Sequence, residues 1–151
     1  MTKVGVVGVG SMGRNHARVL SEMGALACVA DPDPKARADV ASRFGVKVFS
    51  DYREMLPSVD ALVVATPTKF HRQTAIDAME AGKHVLCEKP IAATIKDGND
   101  MLRAAKKAGV VLAIGMIERH NPVVGFARNA LAEGRFGELV SLSARRVSSM
   151  P

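Results

Sequence analysis

A chain of 151 residues and 16.0 kDa suits one domain, because domains typically run about 100–150 residues. Its 48% hydrophobic and 24% charged residues exclude wholesale disorder, and the absence of Trp, with one Tyr and five Phe, argues against stacking of bases or sugars on aromatic platforms. The net charge of +6 is uneven: residues 1–100 hold 13 basic and 12 acidic groups, residues 101–151 hold 8 and 3, an excess that suits an anionic metabolite, nucleic acid or a surface covered by another segment.

Short β-rich runs alternate with longer helical ones, the pattern of a parallel sheet with crossover helices. Lys3–Gly8 reads as a first strand. Ser11–Met23 reads as a helix with Met12, Val19, Leu20 and Met23 on its inner face, ended by Gly24. Ala25–Ala30 is a second strand, closed by Asp31-Pro32-Asp33-Pro34. Asp33 suits a helix cap and Pro34 a first turn, so a helix follows to Phe44 with Ala36, Val40, Ala41 and Phe44 inward. Val46–Phe49 is a third strand and Asp51–Leu56 one or two helical turns. Asp60–Ala65, His84–Cys87 and Val110–Gly115 are further strands. Helices over Lys69–Ala81 and Thr94–Ala108 lie between them. A helix over 122–133, with Val123, Ala127, Ala130 and Leu131 on one face, leads through Gly134 and Gly137 to Glu138–Ser148, which alternates like a half-buried strand. That strand has no partner downstream, and an unpaired strand is unstable. It is expected to pair with a second copy of the chain or to open a further domain.

The longest charge-free apolar run near the end, Ala108 to Ile117, is ten residues, whereas a membrane span needs about 20. No apolar leader segment is visible. Cys28 and Cys87 sit within apolar strand-like runs and read as buried reduced thiols of a cytoplasmic protein, with no metal site expected.

The strongest local signal is Gly8-Val9-Gly10-Ser11-Met12-Gly13, which follows a strand and opens a helix. This is the context a dinucleotide fingerprint requires. Gly8 permits a tight turn, Gly10 a close approach of backbone to a pyrophosphate, and Gly13 close helix–strand packing. The helix amino end presents free N–H groups and a positive dipole to the phosphates. Asp31, at the carboxyl end of the second strand, is placed to accept the adenosine ribose hydroxyls and to repel a 2′-phosphate, which favours NAD over NADP. The competing reading is that Asp31 caps the turn before Pro32. Lys35 and Arg37 are cations near enough to soften the discrimination. Ligands of open α/β sheets bind at strand carboxyl ends, where Ala65-Thr66-Pro67-Thr68 and Cys87-Glu88-Lys89-Pro90 both fall. Thr66, Thr68 and His71 offer hydrogen bonds there, although His71 reads equally as a helix cap. Lys89, held off the helical path by Pro90, is positioned to take a hydroxyl proton if partly desolvated beside a nicotinamide ring. The bland reading is an ordinary ion pair with Glu88.

Together these pieces resemble the amino-terminal half of the glucose-fructose oxidoreductase / inositol dehydrogenase / MocA (Gfo/Idh/MocA) family. The matching segments are GVGSMGRNH (8–16), AD (30–31), ATPTKFH (65–71), AGKHVLCEKP (81–90) and ERHNP (118–122). From Ile117 to Val147 the chain is most similar to dehydrogenases of UDP-sugars and sugars. The resemblance implies an α/β fold: a Rossmann-type doubly wound parallel sheet over 1–120, binding NAD(P). It further implies that 121–151 is a connecting helix and the first strand of a second α/β domain that supplies substrate and dimer contacts. It implies Lys89 as the residue of proton transfer. The cofactor would be lined by Gly8, Gly10, Ser11, Met12, Gly13, Asp31, Thr66, Pro67, His71, Glu88, Lys89, Pro90, Arg119 and Asn121, with a Lys-Pro bond that is often cis. Thr68 departs from an Asn common in the family. The family's other acid/base residues lie past residue 151, so this stretch is expected to bind NAD without turnover.

The leading expectation is therefore the cofactor domain of an NAD-dependent dehydrogenase of a sugar or nucleotide sugar, acting as a homo-oligomer. The alternative is a non-catalytic NAD-binding or redox-sensing module, which leaves Lys89 without a task. Arg145 and Arg146 suit a nucleotide diphosphate, or equally acidic residues of a further domain. Nucleic-acid binding lacks a helix-turn-helix, an aromatic platform or a basic helix.

Overall fold

Six short apolar runs pair into one all-parallel sheet in the computed structural model, which describes residues 2–145 and 147. The strands are β1 (Val4–Val7), β2 (Leu26–Ala30), β3 (Lys47–Phe49), β4 (Ala61–Val64), β5 (His84–Cys87) and β6 (Leu112–Ile114), in the order β3-β2-β1-β4-β5-β6. Val6 stands opposite Val29 on one side and Val63 on the other, and Val63 opposite Leu86. The chain order reverses direction at β1, so β2 and β3 lie to one side of it and β4 to β6 to the other. That reversal is the switch point at which doubly wound sheets bind ligands.

The helices are α1 (Ser11–Glu22), α2 (Pro34–Phe44), α3 (His71–Glu80), α4 (Ile95–Ala108) and α5 (Pro122–Ala132), with 3₁₀ turns at Tyr52–Ser58, Thr68–Phe70 and Ile117–His120. Their ends follow local chemistry. The Asp33 side chain accepts the Lys35 N–H at 2.9 Å, with Pro34 opening α2. Thr94 Oγ1 accepts the Asp97 N–H at 3.1 Å at the start of α4. Gly45 and Gly109, both left-handed, end α2 and α4, where only glycine adopts that conformation without strain.

Alternation along the strands sends neighbouring residues to opposite faces, so the sheet carries two cores. On one face Val7, Ala30, Leu62, Val64 and Cys87 pack with Ala75, Met79 and Met101 of α3 and α4, and with Met55 of the Tyr52–Ser58 turn. On the other, Val6, Val29 and Val63 pack with Ala17 of α1 and with Ala36 and Val40 of α2. Helices thus cover both faces, as an all-parallel sheet requires.

One expected face is different. Of the four residues expected inward, Leu20 is half-buried and packs against the Val6–Val29 core, but the buried residues of α1 are Gly13 and Ala17, whereas Met12, Val19 and Met23 are 43%, 41% and 63% exposed. The reason is distance. α1 lies so close to the end of β1 that a Cβ on Gly13 would sit 1.8 Å from the Gly8 carbonyl oxygen, and only small residues tolerate that approach. The bulky stripe is turned about 100° away, one residue round the helix.

The residues fall into two compact units, Met1–Gly115 and Met116–Pro151. In the second, α5 buries Ala130 and half-buries Ala127 and Leu131, but Val123 is 72% exposed. Residues 138–145 and 147, expected as a strand, carry no sheet ladder, because a strand persists only with a partner to receive its hydrogen bonds. Arg146 and residues 148–151 lie outside the described residues.

The corrected helix face yields a direct comparison. Met101→Ala, which empties a fully buried site, should lower unfolding free energy by about 2–5 kcal/mol in urea titrations. Met23→Ala, on the exposed stripe, should change it by less than about 0.5 kcal/mol. Equal losses at the two positions would overturn the assignment of the α1 face.

Candidate cofactor-binding site

The site is built from the loops at the carboxyl ends of the central strands. After β1 the chain turns at Gly8, whose φ is +83°. A Cβ there would lie 2.9 Å from the Ala65 carbonyl and the Thr66 nitrogen, so glycine is required both by conformation and by contact with the loop after β4. Gly10 precedes α1 with nothing within 4 Å of a Cβ position, leaving open space over the backbone. No side chain caps α1 and its first turn holds no acidic residue. The first N–H groups of the helix, from Ser11, Met12 and Gly13, therefore lack intrahelical acceptors and face outward with the dipole's positive end.

Asp31 follows β2 and joins two backbones. Its Oδ2 accepts the Val9 N–H of the glycine loop at 2.8 Å, and its Oδ1 accepts the Asp33 N–H at 2.8 Å. Asp31 thus shapes the turn before α2, as the capping reading expects, and also meets the glycine loop. The Arg37 guanidinium donates to the Asp31 and Pro32 carbonyl oxygens. A cavity of about 390 Å³ opens beside Asp31, bounded by Gly8, Tyr52, Thr66, Phe70 and Thr74. Tyr52 donates its hydroxyl proton to Asp77 at 2.7 Å. Burial, with that hydrogen bond and charge, pushes its phenol up to about 12. Thr66 Oγ1 is buried and has no hydrogen-bond partner, an unusual state for a hydroxyl.

After β4, His71 is 1% exposed. Its Nε2 meets the Thr66 carbonyl oxygen at 2.8 Å and its Nδ1 the Pro90 carbonyl oxygen at 3.0 Å. The ring thus braces the loop after β4 against the loop after β5 from behind. Both carbonyls only accept, so a neutral imidazole, with one N–H, serves one of them and an imidazolium both.

After β5, Glu88 is 6% exposed. Its carboxylate does not form the neighbour ion pair that an E-K dipeptide suggests. Instead Oε1 accepts from His16 Nε2 on α1 at 2.8 Å, and Oε2 accepts the Lys89 backbone N–H at 3.1 Å. Burial pushes this carboxyl up. The His16 and Lys89 hydrogen bonds and the positive charges of both residues outweigh it, so its pKa is held below the usual range. Lys89 is exposed, and the Lys89–Pro90 bond is cis. Cys87, just before it, is fully buried, and burial with the neighbouring Glu88 charge pushes its thiol up to about 12. Both cysteines are free and buried.

Gly8, Gly10, Ser11, Met12, Gly13, Asp31, Thr66, Pro67, Glu88, Lys89 and Pro90 therefore share the carboxyl edge of one sheet, with His71 behind them. Arg119 and Asn121 belong to the second unit. There Asn121 caps α5 by accepting the Val123 N–H at 3.0 Å and donates to Glu118. His16 and Tyr52 were not among the expected site residues. His16 pairs across 72 residues of sequence, and its local signal is only its place one turn beyond Met12. Tyr52 offered no signal beyond being the lone tyrosine.

The donor set fits a dinucleotide: uncapped amides over open space at Gly10, an orphaned hydroxyl at Thr66 and a carboxylate beside the cavity. Comparison with known proteins places this fold in a class. Residues 2–116 match the family described as "Oxidoreductase family, NAD-binding Rossmann fold". The chain belongs to this Gfo/Idh/MocA oxidoreductase family. It is 35% identical over 146 residues to UDP-N-acetylglucosamine 3-dehydrogenase of Acidithiobacillus ferrooxidans, covering 97% of this chain and 45% of that protein. It is 36% identical over 150 residues to 2,7-anhydro-N-acetylneuraminate hydratase of Escherichia coli, covering 97% and 40%. The WlbA dehydrogenase of Bordetella pertussis, solved in complex with NADH and UDP-GlcNAcA, is 35% identical with a TM-score of 0.85, over 90% of this chain and 43% of that one. The chain spans less than half the length of these relatives.

Two measurements probe the β5 end. A carboxyl whose pKa is lower folded than unfolded stabilises the fold above its unfolded value of about 4.3, and that contribution is lost as pH falls through the folded value. Glu88→Gln should therefore flatten the acid limb of stability against pH below about 4.5; an unchanged limb would contradict the assigned pairing. Iodoacetamide at pH 8 should leave both thiols unmodified in the folded chain and alkylate both in urea, read by mass spectrometry.

Proposed function

We propose that the chain is the cofactor domain of an NAD-dependent dehydrogenase that oxidises or forms a CH–OH group of a sugar or nucleotide sugar. The observation that carries the NAD reading is Asp31, a carboxylate tied to the glycine loop by the Val9 N–H and standing on the rim of the adjacent cavity. A 2′-phosphate at that rim would meet negative charge. Arg37 is engaged by backbone carbonyls, and Arg53 forms ion pairs with Asp51 and Asp77. Arg53 is thereby neutralised, whereas Arg37, bonded only to uncharged carbonyls, and the exposed Lys35 keep their charge and soften the discrimination.

The residues that would hold the dinucleotide are the α1 amides at Ser11, Met12 and Gly13 for the pyrophosphate, Asp31 for the adenosine ribose, and Thr66 and Pro67 beside it. Glu88, Lys89 and Pro90 then lie under the nicotinamide half, on the other side of β1. Bound there, the nicotinamide supplies a hydride acceptor or donor. The role of Lys89 is at the carbinol: its Nζ takes the hydroxyl proton during oxidation and returns it during reduction. Lys89 is exposed, so this role requires water to be excluded around it when nicotinamide and substrate are bound. Residues 121–151 are read as the connecting helix and opening segment of a second domain that completes the substrate pocket and the homo-oligomer contacts, and Arg119 and Asn121 are read as cofactor contacts on the strength of the family resemblance alone. The nucleotide-sugar class rests on the two dehydrogenase relatives and on Arg145 of the basic stretch.

Calorimetric titration tests this reading. The chain should bind NAD, and bind NADP at least about tenfold more weakly, a difference of about 1.4 kcal/mol. Asp31→Asn keeps a side-chain carbonyl acceptor but removes the charge, and should bring the two nucleotides within about threefold of each other. Lys89→Ala should leave NAD affinity within about twofold, since its role is in proton transfer rather than holding. Binding of neither nucleotide would remove the reading.

A further inference from the structure

Resting on that cofactor reading, we propose that His16 is a positioning residue for the nicotinamide end of the site, acting through Glu88. The two residues stand on elements that otherwise serve different halves of a dinucleotide. His16 lies one turn into α1, the helix whose amino end faces the pyrophosphate. Glu88 ends β5 and is followed by Lys89. Between them a carboxylate that is 6% exposed accepts the His16 Nε2–H at 2.8 Å through one oxygen and the Lys89 backbone N–H at 3.1 Å through the other. The Lys89 peptide is thus held from one side by a group that α1 holds from the other.

Gly115 makes room for this arrangement. A Cβ at that position would lie 3.3 Å from Glu88 Oε1 and 3.5 Å from Oε2, the first of these tighter than ordinary van der Waals contact. Nothing in the loop itself fixes the carboxylate rotamer, because the Lys89 N–H is a neighbouring group that follows the chain. His16 is the donor that comes from outside the loop. Removing it leaves a buried carboxylate short of a partner, which costs more than the net value of an ordinary hydrogen bond. The least costly response is rotation of Glu88 toward solvent, taking the Lys89 peptide with it. Asp31 lies across β1 and shares no partner with this pair, so the disturbance stays on the nicotinamide side.

The test separates the two halves of the ligand. ADP-ribose carries the adenosine, the pyrophosphate and the second ribose but no nicotinamide ring. Wild type, His16→Ala, His16→Gln and Glu88→Gln are titrated with NAD and with ADP-ribose in parallel. His16→Ala should lose about tenfold in NAD affinity, as expected for a charge-assisted hydrogen bond, while ADP-ribose affinity stays within about twofold. His16→Gln, which offers a side-chain N–H at similar reach, should return NAD affinity to within about threefold of wild type. Should His16→Ala not fold, Glu88→Gln carries the test, with the same selective loss of NAD affinity. Equal loss for both ligands, or unchanged NAD affinity in His16→Ala, overturns the positioning role while leaving the cofactor reading intact. Binding of neither ligand by wild type overturns both.

Discussion

The structure depends on one close approach, backbone to backbone, at the end of β1. Gly8 turns with a positive φ against Ala65 and Thr66, and Gly13 brings the first turn of α1 onto the Gly8 carbonyl oxygen. No side chain fits at either place. Because the helix lies that close, its uncapped amino end arrives at the sheet edge rather than above it. The Val9 N–H then points at Asp31, and the loop after β4 is pressed against the glycine turn. The same approach dictates which residues α1 buries. A helix held this near to a strand offers Gly13 and Ala17 inward and turns its methionines out.

Around that contact the edge is assembled from loops that belong to different strands and are tied by side chains. Asp31 ties the β2 end to the glycine loop. His71 ties the β4 end to the β5 end through two carbonyls, and His16 ties α1 to Glu88. Each tie satisfies groups that burial would otherwise leave unpaired, which is why they are short and why their partners are backbone or ionised. The ties also divide the edge at β1. On one side lie a carboxylate and a cavity with aromatic walls. On the other lie a buried acid and an exposed lysine. A dinucleotide laid across the glycine turn meets different chemistry at its two ends.

Much of this was legible from residue order. Asp33-Pro34 opens α2 as a cap and first turn require, and His84–Cys87 has the bounds its apolar run predicts. The fingerprint glycines were legible because the physical demands on them are local: a turn, an open space and a missing Cβ. On the inner face of α1 Leu20 packs as expected, but Met12, Val19 and Met23 do not, because hydrophobic periodicity weighs side-chain size, whereas the burial there is decided by how near the helix can come. The strand expected near the carboxyl end failed for a related reason. Alternation marks a residue pattern able to pair, and pairing needs a second strand.

The sequence by itself determined the element order, the two-faced parallel sheet and the class of ligand its first turn accepts, since these follow from local conformation and short-range periodicity. Only the tertiary structure decided what the polar groups do. It directed Glu88 to His16 and the Lys89 backbone N–H rather than to the Lys89 ammonium, set His71 behind two loops, and gave Asp31 both a turn and a glycine-loop amide to hold. The bonds from His71 to Pro90, Asp31 to Val9 and Glu88 to His16 span 19, 22 and 72 residues of chain. No local propensity encodes them, because they exist only once the strands have brought their carboxyl ends to one edge.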